Sequence, residues 1–190
     1  MDIQCGKSTY SFESIVDKYS NMLMRLAMIR MGNKEDAEEV VQDTYLKLIY
    51  EVNKGNIFND EEHLKAWLLT VATNRGKSIL NLMWNRRTQG LDALEEASYE
   101  DKHNEGYAYE YVMKLPEKYR VAINLFYYEQ LKTDEIAKIM KTKETTVRSY
   151  LHRGRERLKE MMEADAYCGT KKNFLKILQK LQIRLQLQMS

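Results

Sequence analysis

Proline occurs once and glycine eight times in 190 residues, so the chain is poor in residues that break helices. Regular alternation of apolar and polar residues is nearly absent too, which argues for an all-α protein. Two cysteines, Cys5 and Cys168, stand far apart in polar or terminal contexts. They suggest neither a disulfide framework nor a metal site, and a reducing compartment is the expectation. No basic-then-apolar leader opens the chain, and no apolar run approaches the ~20 residues of a membrane-spanning helix. A cytoplasmic location is therefore expected. Also missing are a phosphate-cradling glycine-rich loop, a metal-spaced His/Cys cluster and a nucleophile constellation. His63, His103 and His152 are scattered, and the carboxylates fall in helix starts or in one acidic stretch. The expectation is no catalytic residue, no metal, no cofactor and no small-molecule substrate, which disfavours a small helical enzyme.

What is present has globular composition, with 44% hydrophobic and 31% charged residues. The net charge of +2 hides local asymmetry. The length allows one domain or two small ones.

Residues 11–31 carry Phe12, Ile15, Val16, Tyr19, Leu23, Leu26, Ala27 and Arg30 at helical spacing and end at Gly32-Asn33, a helix stop. A second helix, 34–52, begins with Glu35, Asp36, Glu38 and Glu39, which favour a helix N-terminus. Its expected core side is Ala37, Val40, Val41, Thr44, Tyr45, Leu48 and Val52. Glu39, Gln42, Asp43 and Leu46 then gather on the far side. An acidic face with an apolar centre suits a partner helix, although a lone exposed leucine is also ordinary.

Residues 53–63 read as a polar loop around Gly55, followed by a long helix. Leu64, Trp67, Leu68, Val71, Ile79 and Leu82 form its expected buried side. Thr70, Thr73, Asn74, Lys77, Asn81 and Trp84 are expected outside, with Arg86 and Arg87 beyond. Cations and amides beside an exposed indole can follow phosphates and stack on an unpaired base. Trp84 packed into the bundle is the alternative.

Residues 89–106 change character. Asp92, Glu95, Glu96, Glu100 and Asp101 occur with no basic residue among them, between Gly90 and Gly106, so a flexible acidic linker is expected. Helical pattern resumes at Tyr107 and breaks at Leu115-Pro116. In Thr133–Leu158 a short helix with Ile136, Ala137, Ile139 and Met140 apolar, and Thr133 as its expected cap, is followed by a polar break at 141–143. In the next helix Val147, Leu151, Gly154 and Leu158 recur at i, i+4, i+7 and i+11 as one buried stripe. Thr145, Arg148, Ser149, His152 and Arg153 occupy the opposite surface, with Arg155 and Arg157 further along. That pattern is a helix-turn-helix whose second helix can lie in a major groove. A basic helix in an ordinary bundle is the plainer alternative.

In the tail, 164–190, Phe174, Ile177, Leu178, Leu181 and Leu185 have helical spacing. Lys171, Lys172, Lys176, Lys180 and Arg184 accompany them without an intervening acid. A basic amphipathic helix and a dispensable extension are both open.

Asp36-Ala-Glu-Glu-Val-Val-Gln-Asp-Thr-Tyr-Leu-Lys-Leu-Ile49 and Leu64-Lys-Ala-Trp-Leu-Leu-Thr-Val-Ala-Thr-Asn-Arg75 resemble region 2 of extracytoplasmic-function (ECF) RNA polymerase sigma factors of the sigma-70 family. Leu115-Pro-Glu-Lys-Tyr-Arg120, Thr146-Val-Arg-Ser149 and Arg153-Gly-Arg155 resemble region 4. The resemblance covers roughly residues 10–160, in the family's order. It implies an N-terminal helical bundle at 8–88, a linker at 89–106, a helix-turn-helix domain at 107–163, and a tail of unassigned role. Glu39, Gln42, Asp43 and Leu46 would meet the clamp helices of the polymerase largest subunit, and the polymerase flap is a further contact. Ile57, Phe58 and Asn59 would hold a flipped −10 base, with Asn74, Lys77, Asn81 and Trp84 along that strand. Thr145, Thr146, Arg148, Ser149, His152, Arg153 and Arg155 would read the −35 element. Thr145 stands where the family often has a small residue, which bears on base preference. Core RNA polymerase and promoter DNA are thus the implied partners, with an anti-sigma factor as a third. The rival is a standalone helix-turn-helix regulator that dimerises and does not bind polymerase.

Overall fold

The computed structural model describes residues 1–88 and 106–166. The first element is a hairpin of β1 (Asp2–Cys5) and β2 (Ser8–Ser11), antiparallel, with Cys5 opposite Ser8 across a two-residue Gly6-Lys7 turn. Three helices follow: α1 (Phe12–Met31), α2 (Lys34–Asn53) and α3 (Glu61–Thr88). Their ends are written locally. Ser11 caps α1 by accepting from the Ser14 N–H at 3.1 Å. Gly32, at φ +83°, ends α1 and donates to the Met28 carbonyl, in the left-handed geometry that glycine adopts without a Cβ penalty. Asn33 then caps α2 through the Asp36 N–H at 2.9 Å, and Asp60 accepts from the His63 N–H at the start of α3.

These helices pack on one another around Ile15, Leu23, Leu26, Val40, Leu48, Leu64, Leu68 and Leu69, all essentially without solvent contact. Each such side chain stabilises the bundle by about 1.5–3 kcal/mol relative to exposure. A second unit holds α4 (Gly106–Met113), α5 (Glu117–Tyr127), α6 (Thr133–Ile139) and α7 (Glu144–Ala166). Val147, Leu151 and Leu158 of α7 are buried with Tyr119, Ile123 and Phe126 of α5 and Ile136 of α6. Gly154 lets α7 approach closely, since a Cβ there would lie 2.7 Å from Ile123 Cδ1.

The two units touch, α1 against α5 and α3 against α6. Arg30 of α1 is buried and its Nη2 lies 2.7 Å from a Glu117 carboxylate oxygen, without hydrogen-bond alignment. Arg120 donates to the Arg30 carbonyl at 2.8 Å, and Lys65 pairs with the buried Glu129 at 3.1 Å. Burial foremost pulls the Arg30 guanidinium below its ordinary pKa; Glu117 opposes that shift and the neighbouring Arg120 adds to it.

Several expectations need correction. The fold is mostly helical rather than all-α, because residues 2–5 and 8–11 pair as strands. Thr133 is the first residue of α6 and not its cap; its hydroxyl donates to Glu144 at 2.6 Å and joins α6 to α7. Thr73, expected outside, is buried, because α3 packs on both α1 and α2 and hides the wider arc Leu69, Ala72, Thr73 and Gly76. Leu82, expected inside, is 57% exposed, beyond the buried Ile79. The acidic linker and the basic tail lie outside the described residues, and α7 continues past 163 to Ala166.

Candidate nucleic-acid and partner interfaces

Of the groove-reading candidates on α7, Thr145, Arg148, Ser149, His152 and Arg153 are all exposed, while Val147, Leu151, Gly154 and Leu158 are buried. The stripe and its outer face therefore fall where helical periodicity puts them. Thr146 is half-buried, and Arg155 leans back over α5, within 3.4 Å of the Tyr127 hydroxyl. Arg148 donates twice to Glu144, at 2.7 and 3.2 Å, and His152 lies 3.4 Å from Glu156. The Thr133 hydroxyl, and after it Arg148, holds the Glu144 carboxyl below the usual carboxylate range. Three cationic or protonatable side chains and two hydroxyls thus share one helix face, the chemistry needed to meet phosphates and base edges.

On α2, Glu39, Gln42 and Leu46 are exposed and Asp43 half-buried, one continuous stripe at i, i+3, i+4 and i+7. Leu46 is 62% exposed, and Tyr50, one turn on, is 57% exposed. Tyr50 belongs to the same stripe and was missed; extending the spacing from Leu46 by four residues finds it. Arg75 of α3 was also missed. It donates to Glu39 at 2.8 Å and to Asp43, bridging the acidic face of α2 to the helix that carries Asn74. No sequence signal pairs residues more than 30 positions apart; only the α2–α3 packing does.

Along α3, Lys77 and Asn81 are exposed and Asn74 is half-buried, its amide donating to the Thr70 carbonyl at 2.8 Å. The backbone of Trp84 continues α3, and its side chain lies outside the described residues. In the preceding loop Ile57 is 63% exposed and Asn59 is exposed, but Phe58 is only 4% exposed. The Phe58 ring stands edge-on to His63 and Trp67 at 5.6 and 5.5 Å. Phe58, expected among the base-contacting residues, therefore has its ring packed in the core of the free chain, because backbone pairing turns it inward. Among the described residues no group of His, Cys, Asp or Glu could hold a metal, and no helix is long and apolar enough to cross a membrane.

Comparison with known proteins matches residues 15–81 to sigma-70 region 2 and residues 106–158 to sigma-70, region 4. The chain is 26% identical over 171 residues to the ECF RNA polymerase sigma factor SigW of Bacillus subtilis, covering 80% of this chain and 89% of that one. It is 27% identical over 171 residues to the ECF RNA polymerase sigma-E factor of Haemophilus influenzae, covering 80% and 88%. Its fold is similar to the sigma factor RpoE solved with the anti-sigma factor NepR from Bartonella quintana, at TM-score 0.64, 23% identity and coverage of 81% and 98%. It is also similar to CnrH solved with the cytosolic domain of CnrY, at TM-score 0.57, 19% identity and coverage of 81% and 88%. The two matched regions, in this order, and the ECF relatives make this chain an ECF sigma factor of the sigma-70 family, a non-enzymatic subunit that directs RNA polymerase to promoters.

Proposed function

We propose that the two units divide promoter recognition between them, residues 8–88 binding core polymerase and opening the −10 element, residues 107–163 reading the −35 element. The single observation that carries this reading is the exposed face of α7, on which Thr145, Arg148, Ser149, His152 and Arg153 stand free of the core. Arg148, Ser149, His152 and Arg153 reach base edges in the major groove, and Arg155 and Thr146 border the backbone. Glu39, Gln42, Asp43 and Leu46 dock on the clamp helices of the polymerase largest subunit, with Leu46 as the apolar centre and charges around it. The second unit meets the polymerase flap. Ile57 and Asn59 receive an unpaired −10 base, and Asn74, Lys77, Asn81 and Trp84 follow that strand. The complex of RpoE with the anti-sigma factor NepR supports an anti-sigma factor as a partner for this chain as well.

Core polymerase combined with this chain, and run-off transcription on genomic fragments, tests the reading. Leu46→Glu is expected to weaken core binding at least ~30-fold, about 2 kcal/mol, while leaving thermal stability unchanged. Core binding unaffected by Leu46→Glu would remove the α2 face as the docking site. Failure of the wild-type chain to direct any start site would remove the division of labour as a whole.

A further inference from the structure

The matched region 2 starts at residue 15, so the β1–β2 hairpin lies ahead of it. The hairpin is nonetheless built into the loop that precedes α3. Phe58 donates its N–H to the Gln4 carbonyl at 3.0 Å and accepts from the Gly6 N–H at 2.7 Å, so Cys5 and Phe58 pair as parallel strands. Paired residues in neighbouring strands share a face, and both side chains are buried, Cys5 at 3% and Phe58 at 4% exposure. The alternation then turns Ile57 and Asn59 outward. Gly6 sits at φ +60°, and a Cβ there would lie 2.4 Å from the Asn59 carbonyl oxygen. At the far end of the loop, Tyr10 of β2 donates to the Glu61 carboxylate at 3.0 Å, joined by Tyr19 at 2.9 Å and by Lys18. The loop is thus gripped at its centre by β1 and at its exit by β2.

We propose that the hairpin is a positioning element for the −10 loop: by pairing with Phe58 it fixes which two side chains, Ile57 and Asn59, are presented to the unpaired strand. This rests on the reading of the loop as a base-contacting element. A polar loop around Gly55 would otherwise spread over many conformers, and apparent affinity falls with the fraction that is competent. Gly6, Tyr10 and Phe58 are positioning residues in this scheme and need not touch DNA.

The test uses holoenzyme reconstituted with the full chain and a promoter recovered by run-off transcription, presented as fork-junction DNA with an unpaired −10 strand. The readout is the ratio of open-complex formation on the cognate −10 element to that on single-base substitutions. Hydrogen exchange at the Phe58 amide reports the pairing itself, and affinity for core polymerase reports an intact bundle. Gly6→Ala should expose the Phe58 amide and lower the discrimination ratio roughly ten-fold, the effect of a loop competent about a tenth of the time, with core affinity unchanged. Tyr10→Phe, which deletes one hydroxyl, should lower it to a smaller extent. If Gly6→Ala lowers core affinity in parallel, the bundle itself is damaged and Tyr10→Phe decides. Full discrimination in Tyr10→Phe, or in a Gly6→Ala chain whose Phe58 amide exchanges freely, would overturn the proposal. The Ile57→Ala/Asn59→Ala double variant separates the two claims. If it loses discrimination while the hairpin variants keep it, only the hairpin role fails; if it too keeps full discrimination, the loop reading fails and the hairpin role with it.

Discussion

Arg148 is held by Glu144 in the free chain, yet its side chain remains 69% exposed, so the pair contributes little to folding. Under the proposed reading its value lies in groove contact. Arg148→Ala is expected to cost about 1–3 kcal/mol in −35 binding while shifting stability by less than ~0.5 kcal/mol, as DNA titration and thermal denaturation would measure. Glu61 behaves differently. Lys18 foremost, then the Tyr19 and Tyr10 hydroxyls, hold its carboxyl below the usual range. A folded-state pKa below the unfolded one adds stability above the unfolded value, near ~4.3, and loses it as pH falls through the lower folded value. Glu61→Gln should therefore destabilise the chain at neutral pH and lose its effect in acid. With the side chain 38% exposed, screening limits that cost to about 1 kcal/mol or less. Denaturation curves at pH 7 and pH 3 that differ from wild type by the same amount would contradict it.

Helices were the legible part of this molecule, because caps and periodicity are local. Gly32-Asn33 was readable as the stop of α1, and the i, i+4, i+7, i+11 stripe of α7 was readable without any partner. The hairpin was not. Two four-residue strands show only the Ile3 and Cys5 alternation, and the bridge from Cys5 runs to Phe58, more than 50 positions away. Where α7 crosses α5 the decisive residue is Gly154. Ala in a helix interior gains about 1 kcal/mol over Gly, while displacing Ile123 costs a comparable amount. Gly154→Ala should thus stay within ~1 kcal/mol of wild type. Gly154→Val has less of the propensity gain and more bulk, and should lose about 2–3 kcal/mol, seen as a lower urea midpoint.

Between the two units the contact includes buried ionic groups that are incompletely satisfied. Arg30 Nε and Nη1 and Arg120 Nε are buried without hydrogen-bond partners, while Glu117 supplies the carboxylate nearest Arg30. A −10 and a −35 element stand about 25 base pairs apart, on the order of 80 Å along B-form DNA, so under the proposed division of labour promoter engagement would require the units to separate. A buried charge pair with unmet hydrogen bonds makes an interface easier to open than apolar contact of equal area, because its groups regain water. Glu117→Ala leaves Arg30 without its nearest carboxylate and should shift the free chain toward separated units. The expected readout is a larger radius of gyration in solution scattering and lower energy transfer between dyes on α2 and α7. An unchanged radius would assign the cohesion to apolar contacts between α1 and α5 instead.

Sequence alone determined the helices, the Gly32 stop of α1, the buried stripe of α7, the acidic face of α2 and the two-region order, because each depends on neighbours within a few turns. Tertiary structure decided the rest. It put the Phe58 ring in the core and left Ile57 outside, joined Arg75 to Glu39 and Asp43, buried Thr73, and set Arg30 against Glu117. Each of those outcomes depends on which distant surface covers a residue, and periodicity within one helix carries no record of that.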